Sequence, residues 1–388
     1  MSASDAVAPP SEATIPLVRP WLSGRENEYV AAVLASGRLS GDGPFGARCA
    51  ALLTALTGSP CALLTGSGTD ALEMAFLVLD LQPGDEVIMP SFTFASTANA
   101  VALRGAVPVF VDIREDTLNL DETLVEAALT PRTRALLPVH YAGVACDMDG
   151  LAAIASKHNL AIVEDAAHAI GATWRGRALG GIGRIGAFSF HQTKNVAAGE
   201  AGAILINDPA LVASAEEVWE KGTNRRRFHR GETDHYDWMR LGSSYLVSEV
   251  VAAILLAQIE MLDQINALRL RLWQRYHRKF EALESGGRIR RPIVPPPCGH
   301  NAHIYYLLAE DRSERDRIIA ALGRRGITAA FHYMPLHSSP AGQRYCRAPF
   351  PLDVTDRQSA RLLRLPIFAG MSESQCDRVI EAVTAALR

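Results

Sequence analysis

Two segments of the sequence carry ionisable side chains in settings that favour chemistry. The apolar run Leu160–Val163 is followed by Glu164 and Asp165, and further along Lys194 closes the segment Ser189–Lys194. A carboxylate at the carboxyl end of a parallel strand lies where α/β sheets bind ligands. A lysine in apolar, glycine-rich surroundings would be desolvated, which lowers its pKa and makes its amine nucleophilic. Taken singly, Asp165 could instead be a helix N-cap, and Lys194 an ordinary surface lysine.

A third segment, Thr65–Asp70, combines two glycines with three hydroxyl side chains. It separates a predicted strand, Ala62–Thr65, from a predicted helix, Asp70–Leu79. Such a turn directs free backbone N–H groups and the helix dipole at an anion, glycine permits its close approach, and the hydroxyl groups can donate to it. The other interpretation is an ordinary tight turn with an N-cap.

Together the three segments match the needs of one cofactor, pyridoxal phosphate. It requires a cup for its phosphate, an acid for its pyridine nitrogen and a lysine for its aldehyde. The acid keeps the ring nitrogen protonated so that the ring withdraws electrons, and the lysine also moves protons. The sequence therefore predicts pyridoxal phosphate as cofactor, with Asp165 and Lys194 as the catalytic pair.

The elements around these segments predict an α/β fold. From residue 62 to residue 210, short apolar strands alternate with turns and helices, which indicates a mainly parallel sheet covered on both faces. The stiff segment Arg291–Pro297 precedes a smaller α+β unit, with strands predicted at His303–Leu308 and Ile327–Tyr333. We expect a flexible tail (1–14), a large domain (15–260) and a small domain (261–388) that includes the connecting helix.

Composition excludes several classes of protein. The chain has 388 residues, 48% of them hydrophobic, and a net charge of -3, which argues against disorder and against a general nucleic-acid binder. The longest apolar run, Val250–Ala257, is too short to span a membrane, so no membrane partner is expected. The six cysteines form no C-x-x-C pair, which favours reduced thiols in a cytoplasmic protein without a metal site.

One glycine motif invites a different interpretation. The segment Gly181–Gly186 has the G-x-G-x-x-G spacing of dinucleotide-binding loops. Those loops follow a strand and open a helix, whereas this one leads into the predicted strand Ala187–Phe190. We therefore expect a glycine-rich loop between strands and no nicotinamide cofactor.

Longer segments carry a resemblance to a known family. The sequence resembles the nucleotide-sugar aminotransferases of the DegT/StrS type over nearly its whole length, from about Ile15. Within the family the likeness favours enzymes that make dTDP-4-amino-4,6-dideoxygalactose. The similar segments are Pro83–Ala100, Pro138–Met148, Val163–Ala167, Ser189–Asn195, Lys221–Arg225, Gly242–Leu246 and Phe331–His337.

The resemblance implies a fold and a set of cofactor contacts. The fold would be that of aspartate aminotransferase, known as fold type I, with a smaller C-terminal α+β domain. Lys194 matches the lysine that binds the cofactor, and Asp165 matches the partner of its pyridine nitrogen. The remaining matches are Gly68, Thr69 and Ser189 at the phosphate, Phe94 stacked on the ring, and His168 near the ring hydroxyl. Phe94 could alternatively be a core residue.

The resemblance also implies candidate residues for binding the substrate. His332 and Tyr333 match a segment that faces the sugar nucleotide, and Tyr141 and Tyr245 are further candidates. The basic stretch from Lys221 contributes Arg225 and Arg230, either of which could bind the diphosphate, because guanidinium groups match phosphate bidentately. The alternative for this stretch is a solvated loop.

These matches predict a homodimeric aminotransferase. It would transfer an amino group from L-glutamate to the C4 keto group of dTDP-4-keto-6-deoxyglucose, giving a dTDP-4-amino-4,6-dideoxyhexose of galacto or gluco configuration. Lys194 disfavours the deoxysugar dehydratases of the family, which carry histidine there. The alternatives are action on another keto position or a UDP-linked sugar, and a non-catalytic cofactor-binding regulator.

Overall fold

Residues 14–388 are described by a computed structural model, so all but Thr14 of the predicted flexible tail lies outside the described residues. Twelve strands are present in this range. They are β1 (Cys61–Thr65), β2 (Glu86–Pro90), β3 (Val107–Val111), β4 (Thr133–Leu136), β5 (Ala161–Asp165), β6 (Thr173–Trp174), β7 (Arg177–Ala178), β8 (Ile185–Ser189), β9 (Gly202–Ile206), β10 (Cys298–Gly299), β11 (Tyr305–Leu308) and β12 (Leu362–Leu365).

Fifteen α-helices are also present among residues 14–388. They are α1 (Arg25–Ser36), α2 (Pro44–Thr57), α3 (Gly68–Val78), α4 (Ala95–Ala102), α5 (Val125–Ala128), α6 (Met148–His158), α7 (Val212–Trp219), α8 (Arg225–His229), α9 (Glu249–Ile259), α10 (Leu262–Lys279), α11 (Glu281–Ser285), α12 (Arg312–Gly323), α13 (Pro340–Tyr345), α14 (Asp353–Arg361) and α15 (Glu373–Ala386).

The main sheet has seven strands in the order β1-β9-β8-β5-β4-β2-β3. The strands β3, β2, β4, β5 and β8 pair in parallel, and only β9 runs against both of its neighbours. The prediction of a mainly parallel sheet is therefore confirmed. One apolar cluster packs α3, α4 and α7 on one face, and another packs α1, α2 and α9 on the other.

This topology gathers the predicted functional segments at one edge. Because parallel strands present their carboxyl ends together, Asp165 at the end of β5 lies near Ser189 at the end of β8. Strand β9 begins at this edge, and Gly202 pairs with both Thr65 of β1 and Ser189. The edge therefore collects the loops that follow β1, β5 and β8.

The smaller unit is built on the antiparallel pair β11 and β12, packed against α12, α15 and the second half of α10. The predicted strand Ile327–Tyr333 is wrong, because only isolated bridges form there, from Ile327 to Ile15 and from Ala330 to Arg364. The partner of β11 is instead β12, whose leucines fill the core of this unit.

The two units are not cleanly separated at residue 260, the predicted domain boundary. Leu262 and Ile265 of α10 pack in the core of the large unit, whereas Leu272 and Tyr276 of the same helix pack in the core of the small one. Ile15, which the predicted bounds place in the large domain, also packs in the core of the small unit. The helix α10 therefore joins the two cores rather than belonging to either.

Among residues 14–388 no single helix is both long and apolar enough to cross a membrane. Only the pair Glu249–Ile259 and Leu262–Ser285, bent by 58°, passes on length and composition alone.

Candidate active site

A cavity of about 580 Å³ opens at the carboxyl edge of the main sheet. The small unit closes its other side, since the segment after Ala330 and the strand β12 both reach it. The cavity brings together nine of the predicted site residues, which are Gly68, Thr69, Phe94, Asp165, His168, Ser189, Lys194, His332 and Tyr333.

The turn between β1 and α3 forms an anion cup at one end of the cavity. Ser67 caps α3, and its hydroxyl accepts a hydrogen bond from the Asp70 N–H at 3.0 Å. The N–H groups of Gly68 and Thr69 find no acceptor among the described residues. Such free donors at the N-terminus of an eleven-residue helix suit a phosphate group.

Glycine is required at position 68 by a close approach of β8. A Cβ atom on Gly68 would stand 2.7 Å from the Ser189 Cβ, closer than real side chains come. Because the two residues are so near, the Ser189 hydroxyl lines the same cup as the free N–H groups. In the sequence, this contact is indicated by the glycine that lies between a predicted strand and a predicted helix.

Asp165 is held in place by two donors. It is only 5% exposed, and its carboxylate accepts hydrogen bonds from the Thr97 hydroxyl at 2.8 Å and from the Ala167 N–H at 3.2 Å. Thr97 in turn belongs to α4, and its hydroxyl also contacts that of Thr93. The alternative that Asp165 merely caps a helix is wrong, since no helix begins there.

Lys194 follows β8 in a tight turn, where its N–H donates to the His191 carbonyl at 2.9 Å. Burial lowers the pKa of its amine to about 8, although the nearby Asp165 carboxylate opposes this shift and Arg364 adds to it. At neutral pH a larger fraction of such an amine is unprotonated, and so able to act as nucleophile or base, than of an exposed lysine. The surface-lysine alternative is therefore wrong.

A group of neutral histidines forms the wall beside Lys194. His168 stacks on His303 with ring centroids 4.3 Å apart, and its Nε2 lies 3.3 Å from the Tyr333 hydroxyl. Burial, followed by the charge of Lys194, lowers the pKa of His168 well below its usual value. Burial also lowers the pKa of His332, and all three rings are thereby kept uncharged near neutral pH.

Phe94 lies at the rim of the cavity with 61% of its surface exposed. The alternative of a core phenylalanine is therefore wrong. Its ring centroid stands 6.4 Å from that of Tyr333, so the two aromatic side chains flank the opening. An exposed aromatic face in this position is available to stack on a flat ligand.

Four predicted substrate residues do not line the cavity of their own chain. Tyr245 packs in the core of the large unit, and Tyr141 is buried behind the wall, where its hydroxyl bonds to His332 Nδ1 at 3.1 Å. Arg225 pairs with Glu220 at 3.2 Å. Arg230 is paired with two carboxylates, those of Glu216 and Glu232.

The glycine motif has a structural role on the other face of β5. The N–H groups of Gly180, Ile182 and Gly183 donate to the Glu164 carboxylate at 2.8, 2.7 and 2.6 Å, and His140 Nε2 lies 3.0 Å from it. Burial opposes ionisation, yet these bonds, His140 foremost, hold the pKa of Glu164 below its usual value. The loop therefore binds the protein's own carboxylate.

Several cavity residues were not predicted, among them Thr97, His303 and Arg364. Thr97 falls within Pro83–Ala100, but nothing in its spacing marks it as a partner of Asp165. His303 and Arg364 come from the small unit, where the sequence carries no motif around them. Only the packing of the two units brings them to Lys194.

A buried amine, a fixed carboxylate and an anion cup in one cavity define an enzyme that works with a bound phosphorylated cofactor. The chain belongs to the DegT/DnrJ/EryC1/StrS aminotransferase family, whose model matches residues 21–384. The predictions of an aminotransferase and of this family are thereby confirmed.

Solved structures of similar proteins agree with this assignment. DesV from S. venezuelae, solved with a ketimine intermediate, is 34% identical, with 97% of this chain and 99% of that chain covered and a TM-score of 0.87. A DegT DnrJ EryC1 StrS aminotransferase from Brucella abortus is 32% identical, with 93% and 95% covered and a TM-score of 0.85.

A third neighbour bears on the cofactor. The putative sugar aminotransferase Spr1654 from Streptococcus pneumoniae is 27% identical, with 96% of this chain and 98% of that chain covered. It has been solved in a PLP form, with a TM-score of 0.86, and in a PMP form, with a TM-score of 0.87. The predicted cofactor and the predicted fold class agree with these neighbours.

Proposed function

We propose that the cavity binds pyridoxal phosphate. The observation that carries this proposal is the pairing of a free anion cup with a buried amine and a fixed carboxylate. Gly68, Thr69 and Ser189 would hold the phosphate, Asp165 the pyridine nitrogen and Lys194 the aldehyde carbon. Phe94 would cover one ring face and His168 would contact the ring hydroxyl. When bound, the cofactor supplies an electron-withdrawing ring that stabilises negative charge on the reacting carbon.

Lys194 then serves as the acid and base. With a pKa of about 8, roughly a tenth of its amine is unprotonated at pH 7, so it can take a proton from a reacting carbon and return it. Asp165 stays aligned through its bonds from Thr97 and Ala167. The neutral ring of His168 contributes no competing charge beside the reacting atoms.

For the overall reaction we propose transamination of a nucleotide-linked ketosugar. The specific substrate would be dTDP-4-keto-6-deoxy-D-glucose, with L-glutamate as amino donor, and the product a dTDP-4-amino-4,6-dideoxyhexose. Support comes from the resemblance of the sequence and from the sugar aminotransferase among the structural neighbours. His332 and Tyr333 offer uncharged hydrogen-bonding groups that suit sugar hydroxyls.

The diphosphate would be bound by Arg225 of a second subunit in a cytoplasmic homodimer. Arg225 does not line its own cavity and has one carboxylate partner, Glu220, at 3.2 Å. Arg230 is less suited to this role than predicted, because two carboxylates already occupy its guanidinium. The six free cysteines among the described residues are compatible with a reducing compartment.

The direct test is product analysis with purified enzyme. Incubation with dTDP-4-keto-6-deoxyglucose and L-glutamate should yield an aminosugar whose proton NMR couplings give the configuration at C4. Lys194→Ala should lower turnover by about 10²–10⁴-fold, while the exposed Lys157→Ala variant should keep full activity. Amination only of a 3-ketosugar or a UDP sugar would refute the assigned substrate. Turnover in Lys194→Ala that stays within about tenfold of the wild type would refute the assigned catalytic residue.

A further inference from the structure

The buried hydroxyl of Tyr141 determines which nitrogen of His332 accepts a hydrogen bond. The Tyr141 side chain is 1% exposed, and burial raises the pKa of its phenol well above the usual value, so the group remains an O–H donor. Its oxygen lies 3.1 Å from His332 Nδ1, its one hydrogen-bond partner among residues 14–388. Because a buried O–H without an acceptor is costly, the phenol donates and Nδ1 accepts.

The other nitrogen of His332 must then carry the proton of the ring. Burial, followed by the charges of Arg364 and Lys194, lowers the pKa of His332 well below its usual value, so the imidazole is neutral. A neutral imidazole has one N–H group and one lone pair, and the bond made by one nitrogen sets the state of the other. The ring lines the cavity, and Nε2 has no hydrogen-bond partner among the described residues. His332 therefore has an Nε2–H group available to a ligand.

The turn that carries Tyr141 is held in place by Asn119. The Tyr141 N–H donates to Asn119 Oδ1 at 2.9 Å, and the Asn119 amide donates to the carbonyls of residues 144 and 145 at 3.0 and 2.9 Å. Inside the turn Ala142 has a φ of 58°, in the left-handed region that residues other than glycine rarely adopt. Such a conformation persists only where the surrounding contacts fix it. The phenol of Tyr141 is therefore supplied to His332 from a fixed backbone.

The same turn acts on a second histidine of the cavity. The Ala142 N–H donates to His168 Nδ1 at 3.4 Å, and His168 Nε2 lies 3.3 Å from the Tyr333 hydroxyl. His168 is also neutral, so its proton is on Nε2 and can be donated to the Tyr333 oxygen. The hydrogen of the Tyr333 hydroxyl then remains for a ligand. Both histidines thus accept a bond from the turn and direct an N–H group away from it.

We propose that Tyr141 is a positioning residue, which makes His332 a fixed hydrogen-bond donor to an oxygen of the ketosugar. This inference rests on the proposed function, in which a ketosugar enters this cavity. A carbonyl oxygen accepts hydrogen bonds and cannot donate them. A ring that presents an N–H group matches that oxygen, whereas a ring that presents its lone pair would repel it. Without the hydroxyl of Tyr141, nothing distinguishes the two nitrogens, and the ring can turn over or move its proton.

The first test reads the proton positions directly and needs no substrate. The purified enzyme is labelled with ¹⁵N in its histidine side chains, and the His332 signals are assigned by their loss in His332→Phe. In the wild type we expect the NMR shift of an unprotonated nitrogen for Nδ1 and that of a protonated nitrogen for Nε2. In Tyr141→Phe the Nδ1 shift should move, because its hydrogen bond is lost. A protonated Nδ1 in the wild type, or shifts that Tyr141→Phe leaves unchanged, would overturn the inference.

The second test is a double-mutant cycle on kcat/KM for the ketosugar. Tyr141→Phe keeps the ring that packs on Phe92, with centroids 5.0 Å apart, and should lower kcat/KM about tenfold. His332→Phe should lower it at least about tenfold. In the double variant the value should stay within about twofold of His332→Phe alone, because Tyr141 acts through His332.

The matched control is Tyr276→Phe. It removes another buried hydroxyl, which donates to the Pro366 carbonyl at 2.9 Å outside the cavity, and kcat/KM should stay within about twofold of the wild type. An unchanged kcat/KM in Tyr141→Phe would overturn the inference. So would an equal loss from Tyr141→Phe in the wild type and in His332→Phe, since it would show that Tyr141 acts by packing.

The two tests also separate this inference from the proposed function. The expected NMR shifts in an enzyme that turns over no ketosugar would refute the proposed substrate and leave the assignment of His332 as a donor standing. Turnover of the ketosugar by an enzyme whose Nδ1 is protonated would support the proposed substrate and overturn the role of Tyr141.

Discussion

Lys194 should make the stability of the cofactor-free protein depend on pH. Burial lowers the pKa of its amine from 10.5 to about 8 in the folded chain. The unfolded chain therefore holds more protons between pH 8 and pH 10.5, so the free energy of unfolding rises with pH across that window. Below pH 8 the penalty for the buried charge is complete, and above pH 10.5 it is absent.

The size of the effect follows from the two pKa values. Each pKa unit is worth about 1.4 kcal/mol, so the full change amounts to about 3 kcal/mol. The Lys194→Met variant keeps an unbranched side chain without the titrating amine. The free energy of unfolding of the wild type, taken relative to this variant, should therefore increase by about 3 kcal/mol between pH 7.5 and pH 10.5.

Urea unfolding of the cofactor-free proteins, followed by circular dichroism at half-unit steps of pH, measures this difference. Lys157→Met, which removes an exposed amine paired with Glu126, controls for the loss of one positive charge. Parallel curves for the wild type and Lys194→Met across the window would refute the reasoning. The neighbours give a further check. Asp165→Asn should move the midpoint pH of this stability change lower, and Arg364→Gln should move it higher. The reason is that the two charges shift the pKa of Lys194 in opposite directions.

Three further substitutions test the supporting contacts. Thr97→Val removes the hydroxyl that donates at 2.8 Å to Asp165, the proposed catalytic carboxylate. It should lower kcat about tenfold with little change in the KM for the ketosugar, as steady-state kinetics would measure. Glu164→Gln replaces a buried carboxylate that is bound by four donors. It should lower the free energy of unfolding, measured in urea, by about 3 kcal/mol. Glu126→Gln, at an exposed position, is the control. Gly68→Ala forces a methyl group against Ser189. It should weaken the binding of pyridoxal phosphate at least about tenfold, as measured by absorbance titration. Unchanged affinity would argue against the assigned anion cup.

The site residues that could be predicted from the sequence are those whose positions depend on neighbouring residues in the chain. The turn at Gly68 and the end of the apolar strand before Asp165 are set by residues adjacent in the chain, and parallel strand order then brings their edges together. Arg364 and His303 had no such local cause. They reach Lys194 only because β11 and β12 pack against the large unit, which no short pattern in the sequence reveals.

The failed strand prediction has a similar origin. Ile327–Tyr333 has an apolar start and aromatic residues that are typical of a strand. In the fold its ends serve different partners, because Ile327 bridges to Ile15 and Ala330 bridges to Arg364. The chain then carries His332 and Tyr333 into the cavity rather than continuing along a neighbour. A requirement of the site therefore overrides local propensity there.

The two acids that end β5 illustrate how far a pattern alone can go. Glu164 and Asp165 close the same apolar run, and composition does not distinguish them. Successive side chains of a strand point to opposite faces, so only one of the two can serve the cavity. In the fold the N–H groups of the glycine loop bind Glu164 on the far face, whereas Asp165 accepts from Thr97 and lines the cavity. The loop that resembled a dinucleotide fingerprint thus anchors the far face of β5, the strand that carries the proposed catalytic acid.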